Sequence, residues 1–243
     1  MNDFYVGYLP KAPENVRRFL RRVVVGLGLL AVMAALVLVF WQSRFAASSF
    51  EFGNNREFEG VVQARPYPEL LVLRPGRAEA GFSRYLLVAP GKHGADDLVA
   101  GFDSQVVRLQ GQLIYRDGAT MVEVLPGSVV AAGGAATPPT EKSLGAVTLT
   151  GEIVDSKCYL GVMNPGSGKV HRDCASRCIS GGIPPLFIAD DGEQYLLVAD
   201  DGRALGREAL REFIAEPITI RGELVERGER KFLRIDLREL RHS

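Results

Sequence analysis

The chain has 243 residues, and 29 basic against 29 acidic side chains leave it with a formal net charge of zero. Its 47% hydrophobic and 24% charged residues exclude a disordered or fibrous protein. The basic excess lies in residues 1–48, which hold six basic and two acidic residues. Residues 49–144 and residues 145–243 are each slightly acidic. We therefore expect no nucleic-acid partner.

Residues 23–43 contain no charged side chain. At a rise of about 1.5 Å per residue, a helix of this length spans about 30 Å, which is the thickness of a bilayer's hydrocarbon core. A cleaved signal peptide has a shorter apolar region of about 7–15 residues. Small residues at 46–48 leave cleavage open, but the length favours a retained transmembrane helix over 23–43 that contacts lipid.

The charges on either side of this helix predict its orientation. Five basic residues precede it: Lys11, Arg17, Arg18, Arg21 and Arg22. Only Arg44 and Arg56 follow it closely. The positive-inside rule then places a basic tail, residues 1–22, in the cytoplasm and the bulk of the protein outside. Arginine outnumbers lysine by 23 to 6, as in proteins of GC-rich bacteria, so we predict an inner-membrane protein with a periplasmic bulk.

The remainder of the chain contains two similar segments. The pentapeptide YLLVA occurs at residues 85–89 and again at 195–199. Two glycines that lie within runs of alternating apolar residues also have counterparts in the other segment: Gly60 matches Gly151, and Gly111 matches Gly222. Short alternating apolar runs separated by Gly, Pro and Asp indicate β-strands. The pattern therefore predicts a tandem repeat of β-rich units.

Each repeat has about five predicted strands and a helical stretch before the fourth, at residues 95–102 and 206–214. This pattern is typical of an OB-like barrel, with a sandwich as the alternative. We predict a mainly β protein that has an N-terminal transmembrane helix and two tandem OB-like small β-barrels, the second with a short Cys/His helix insertion. The first repeat covers 49–130, an Ala/Gly/Pro linker covers 131–144, and the second repeat, which we expect to fold alone, covers 145–243.

The second repeat is about 19 residues longer than the first between its first strand and its YLLVA strand. That interval holds all three cysteines and a histidine: Cys158, His171, Cys174 and Cys178. The glycines and prolines at 181–185 end a predicted helix over about 170–180, which would carry the last three of these residues on one face. Three thiols and an imidazole are therefore predicted to converge.

Three thiolates and a neutral imidazole form a closed tetrahedral zinc site, and a nearby thioether such as Met163 would favour copper. Asp155 or Asp173 would orient the histidine. Two other interpretations stay open. A disulfide from Cys158 to Cys174 or Cys178 would leave one free thiol, and Cys174 with Cys178 would serve as an exchangeable redox or copper-transfer pair.

The segment resembles a group of small, largely uncharacterised bacterial exported proteins. Its motif is G-x-I-x-D-x-x-C, then H-x-x-C-A-x-x-C-x-x-x-G-x-P, which here runs from Gly151 to Pro184. The resemblance covers residues 148–237 and implies an OB-like barrel with a Cys3His site, without an assigned activity. The first repeat has no cysteine and lacks the motif.

The favoured function is non-enzymatic. We predict a periplasmic metal-binding protein that is an accessory or metal-handling component of a membrane redox or respiratory system, with a membrane protein complex as its partner. The alternatives are a thiol–disulfide or copper-transfer factor and a scaffold with a structural disulfide. Because the sequence has no Ser/His/Asp set, phosphate-binding loop or paired acidic motif, we predict no catalytic residue for hydrolysis.

Overall fold

The computed structural model describes residues 12–42, 48–74, 81–135, 139–206 and 208–242. The chain separates into two compact units, residues 1–45 and residues 46–243. The first contains one helix, and the second contains the strands and the Cys/His segment.

Helix α1 spans Glu14–Gln42, and over Glu14–Trp41 it is long and apolar enough to cross a membrane. It begins at Glu14 rather than at residue 23, so part of the predicted basic tail is helical. Arginine is a good helix former, and the carbonyl of Pro13 accepts the first turn's hydrogen bond from Arg17 N–H at 2.9 Å. Residues 1–11 of the predicted tail and Ser43 lie outside the described residues.

The first strands form a sheet that contains a closed barrel. They are β1 (Ser48–Phe50), β2 (Arg56–Gln63), β3 (Glu69–Leu73), β4 (Phe82–Ala89), β5 (His93–Gly94), β6 (Gln105–Arg116), β7 (Ala119–Val124) and β8 (Val130–Ala135). The order β2-β3-β4-β7-β6 returns to β2, so five strands close on themselves. All these pairs are antiparallel except β4–β7, and the mainly β character expected from the alternation is therefore present.

The later strands form a second sheet. They are β9 (Glu141–Asp155), β10 (Pro185–Ala189), β11 (Gln194–Ala199), β12 (Ile218–Arg227), β13 (Arg230–Ile235) and β14 (Arg241–His242). Here the pairings run β9-β10-β11-β13-β12 and return to β9, with β11–β13 parallel. Helix α2 (Arg172–Ser180) lies between β9 and β10 in the chain.

Gly60 in the first sheet and Gly151 in the second occupy equivalent positions. Gly60 pairs with Val107 and Gly151 with Ile218, where each first strand crosses close to its neighbour. A Cβ at Gly60 would lie 2.5 Å from the Leu71 carbonyl oxygen, and one at Gly151 would lie 2.0 Å from that of Ile188. Glycine is needed there because the neighbouring backbone occupies the space of a side chain.

The YLLVA strands are apolar on both faces because both faces are buried. Leu87 and Leu197 point into the cores of their own sheets. The flanking residues point to the other side, where a single cluster joins the two sheets: Leu86, Val88, Leu196 and Val198. Alternate side chains of a strand face opposite sides, so each sheet has an apolar face that the other sheet covers.

Three local expectations differ from the structure. The predicted linker, 131–144, contains strand at both ends, because β8 reaches Ala135 and β9 begins at Glu141. Residues 95–102 form turns rather than a helix. In the second predicted helical stretch, the described residues include only a 3-10 turn, Glu208–Leu210. Both stretches have apolar residues at helical spacing, such as Ala95 with Val99 and Leu210 with Ile214, but at eight and nine residues they are short, and helices of that length are marginal.

Candidate metal centre

Cys158 lies directly after strand β9. The strand ends at Asp155, and Cys158 begins a short π-helical turn, Cys158–Val162. The Asp155 Oδ1 atom accepts a hydrogen bond from the Cys158 backbone N–H at 2.8 Å. This contact fixes the chain as it leaves the sheet, and the Cys158 thiol is buried.

The remaining predicted ligands lie at and within α2. A 3-10 turn, Lys169–His171, leads into the helix, and His171 is the residue that immediately precedes it. Cys174 and Cys178 are four residues apart in the helix and therefore lie on one face. Cys178 is buried, whereas Cys174 is partly exposed. The helix ends at Ser180 and is followed by Gly181 as its C-terminal cap, in agreement with the predicted stop.

The three thiols are free, and Cys158 Sγ is 3.9 Å from Cys174 Sγ and 4.0 Å from Cys178 Sγ. A disulfide joins its sulfur atoms at about 2.0 Å. A tetrahedral zinc ion with bonds of about 2.3 Å to two thiolates would hold their sulfur atoms about 3.8 Å apart. The observed separations therefore fit shared coordination of an ion, and they are about twice the length of a bond between the sulfurs.

The candidate ligand atoms at and after the end of β9 and those at α2 form two overlapping groups. Those of Cys158, His171 and Cys174 all lie within 4.8 Å of one another. Asp155, Cys158 and Cys178 form a second group within the same limit. Cys158 belongs to both groups, which together include all four predicted ligands, and each group is compact enough to hold a metal ion.

Asp155 also contacts His171. Its Oδ2 atom lies 2.9 Å from His171 Nε2, and the two side chains are 0% and 2% exposed. A carboxylate accepts hydrogen bonds and does not donate them, so Nε2 carries the ring's proton. Nδ1 then keeps a lone pair for an ion, in the carboxylate–histidine arrangement common around protein-bound metals.

The other two residues proposed to support the site lie on the surface. Asp173 is exposed in the first turn of α2, where it lines a surface pocket with Arg172 and Arg177. Met163 is 43% exposed after the π-helical turn, and its backbone N–H donates to the Cys158 carbonyl at 3.2 Å. Of the two aspartates considered, Asp155 is the one that contacts the histidine.

Lys92, between β4 and β5, was not predicted as part of the site. Its Nζ atom donates to Cys174 Sγ at 2.7 Å and lies 3.6 Å from Cys178 Sγ. In the sequence it is a single lysine in a glycine-flanked loop, and nothing in that pattern indicates a thiol partner 82 residues away. This contact depends on how the two sheets pack.

The thiols differ in acidity. The hydrogen bond with Cys158 lowers the pKa of Cys178 to about 7, assisted by the Lys92 ammonium and opposed by burial. The same Cys178 contact and burial raise the pKa of Cys158 above its ordinary value. The hydrogen bond to Cys174 raises the pKa of Lys92, which therefore keeps its positive charge. The site thus combines the acidic Cys178 thiol, the protonated Cys158 thiol and the Lys92 ammonium.

A metal ion would change this distribution, since a coordinating thiol loses its proton outright. The three thiols and the imidazole would suit zinc or copper, because both ions accept sulfur and imidazole ligands. No protein-family model and no curated protein matches this chain. The case for a metal centre therefore depends on the geometry of Asp155, Cys158, His171, Cys174 and Cys178.

Proposed function

We propose that this chain is a membrane-anchored metal-binding protein that holds one zinc or copper ion through Cys158, His171, Cys174 and Cys178. The observation that carries the proposal is the pair of sulfur separations, 3.9 and 4.0 Å, beside a buried histidine. Asp155 orients that histidine, which is the support a ligating imidazole needs.

The proposal places the centre outside the cytoplasm. Helix α1 would cross the bacterial inner membrane with its arginine-rich end inside, as the positive-inside rule requires. The β-rich unit would then lie in the periplasm. That position suits an accessory or metal-handling component of a membrane redox or respiratory system, with a membrane protein complex as its partner.

We further propose that the β-rich unit consists of two tandem OB-like barrels, of which only the second has the Cys/His helix insertion. Support comes from the matching registers, in which Gly111 pairs with Val124 and Gly222 with Ile235. The parallel pairs β4–β7 and β11–β13 also correspond. The motif's resemblance to uncharacterised exported proteins concerns the second barrel alone.

The experiment is metal analysis of the full chain purified in detergent micelles. Native mass spectrometry and elemental analysis should find one zinc or copper ion per chain. Cys158→Ser, Cys174→Ser, Cys178→Ser and His171→Ala should each remove most of it. His93→Ala is the matched control, because His93 is exposed in β5 and should leave the metal content unchanged. Full metal content in His171→Ala would overturn the Cys3His assignment.

A thiol–disulfide or copper-transfer factor is the second candidate, and the lowered pKa of Cys178 beside Lys92 favours it. In thiol exchange, Cys174 and Cys178 would reduce a partner's disulfide to two thiols and themselves form a disulfide, passing on two electrons and two protons. Their i,i+4 positions on a regular helix oppose this, since their Cβ atoms would be about 5–6 Å apart against about 4 Å in a disulfide.

Thiol counting in denatured, unreduced protein separates the candidates. Metal coordination predicts three free thiols once the ion is removed. A structural disulfide, as in a scaffold protein, predicts one free thiol and no effect of His171→Ala. An exchange factor predicts a change from three thiols to one when the protein is incubated with a small disulfide, without loss of fold.

A further inference from the structure

The first repeat sends one loop to the end of helix α2. The Gly94 N–H donates to the Gly181 carbonyl at 3.0 Å. A Cβ at Gly94 would lie 2.5 Å from the Gly182 oxygen, and one at Gly181 would lie 1.7 Å from the Lys92 oxygen. Glycines on both sides therefore let backbone pack directly on backbone. The glycines that end the helix also form the docking surface for this loop.

The second repeat holds the same loop from its other end. Lys157, next to Cys158, is buried, and its Nζ donates to the carbonyls of Ala89 at 2.8 Å and Gly91 at 2.7 Å. It also pairs with Glu123 at 2.5 Å. An unpaired buried ammonium would be costly, so these contacts keep Lys157 in place and fix the chain just before Lys92.

The loop thereby places an ammonium against two sulfur atoms. Lys92 Nζ is 2.7 Å from Cys174 Sγ and 3.6 Å from Cys178 Sγ. Three thiolates with a divalent ion and a neutral imidazole have a net charge of −1, and the ammonium balances it. Metal-bound thiolates still accept hydrogen bonds, and such contacts around a site affect both metal affinity and the electronic properties of the ion.

We infer that Lys92 is a positioning residue of the metal centre, so that the cysteine-free first repeat completes a site whose ligands all belong to the second. The inference rests on the proposed metal-binding function. Lys92 holds the Cys174 and Cys178 sulfurs in place and offsets the charge of the bound thiolates, and it does not ligate the ion itself.

The test compares Lys92→Met with the wild type, using the full chain in detergent micelles. Methionine keeps most of the aliphatic stem and removes the N–H donors and the charge. Lys169→Met is the matched control, because the Lys169 side chain is 76% exposed and lies beside His171 in sequence. Zinc affinity is measured by competition with a chelator, and the thiolate-to-metal charge-transfer band is recorded with Co²⁺.

We expect Lys92→Met to weaken zinc binding about 10–100-fold. Its Co²⁺ band should move to longer wavelength, because a thiolate without a hydrogen bond gives up its electron density more easily. Lys169→Met should match the wild type in both measurements. The band position separates this role from a merely structural one, which would change stability and leave the band in place.

If the wild-type protein binds zinc and Lys92→Met has the same zinc affinity and the same Co²⁺ band, the inference is overturned while the proposed function stands. Wild-type protein that binds neither zinc nor Co²⁺ nor copper would instead overturn the proposed function. If Lys92→Met does not fold, Lys92→Leu is used, since leucine also lacks an N–H donor and a charge, and the same two outcomes decide the question.

Discussion

The carboxylate of Asp155 accepts a hydrogen bond from Nε2 of His171 at 2.9 Å, and both side chains are shielded from solvent. Its other oxygen accepts the Cys158 backbone N–H. One carboxylate therefore joins the end of β9 to the start of α2, and it holds a thiol-bearing and an imidazole-bearing segment in one place. This link explains why the candidate ligands converge although the loop between them is long.

We predict that Asp155→Asn weakens zinc binding about 10–100-fold, because the amide cannot accept from both donors and loses the negative charge that orients His171. Chelator competition measures the change. Asp173→Asn is the control, since Asp173 is exposed at the surface of α2. Equal affinities for the two variants would contradict the role given to Asp155.

We predict that zinc stabilises the β-rich unit. At a free zinc concentration about 100 times the dissociation constant, the gain in free energy of unfolding is about 2.7 kcal/mol. For a unit of this size, that corresponds to a rise in Tm of about 5–10 °C. Thermal unfolding with zinc and with a chelator measures it. His171→Ala should abolish the difference and His93→Ala should retain it; a rise that persists in His171→Ala would place the ion elsewhere.

Tyr67 connects the two sheets through a buried hydroxyl that donates to the Leu197 carbonyl at 2.7 Å and accepts from Leu205 N–H at 3.3 Å. Tyr67→Phe leaves both backbone groups without this partner, so we expect a loss of about 1–3 kcal/mol in the free energy of unfolding. Urea unfolding measures it. Tyr115→Phe is the control, because Tyr115 is exposed. A cost no larger than the control's would show that the hydroxyl contributes nothing.

Glu69 is buried and forms ion pairs with Arg84 of its own sheet and Arg230 of the second sheet. Glu69→Gln would leave the buried Arg84 guanidinium without its counter-charge, for which we expect a loss of about 3–5 kcal/mol in the free energy of unfolding. Glu193→Gln removes an exposed pair with Lys231 and should change the free energy of unfolding by about 0.5 kcal/mol or less. Similar unfolding curves for the two variants would argue against a buried network between the sheets.

The topology of α1 is tested by fusing reporters after Ser243. The positive-inside rule predicts that the arginine-rich first half of α1 stays in the cytoplasm, so alkaline phosphatase should be active and a cytoplasmic fluorescent reporter should be dark. The reverse pattern would move the thiols into a reducing compartment and exclude the periplasmic role.

The sequence by itself determined the features that depend on neighbouring residues. An uncharged stretch of sufficient length predicted α1, and alternation between turn residues predicted the strands. The i,i+4 spacing of Cys174 and Cys178 placed them on one helix face, because the geometry of an α-helix is the same in every protein. The glycines after Ser180 predicted where α2 ends. Each of these inferences needs only local geometry.

The tertiary structure decided which distant groups meet. Asp155 and Asp173 are equivalent as candidates in the sequence, and only the path of the chain after β9 brings Asp155 to His171. Lys92 reaches Cys174 because the two sheets bury apolar faces against each other. Hydrophobic burial is non-directional and carries no sequence signal for the polar groups that it brings into contact, so these contacts are fixed only when the two sheets pack together.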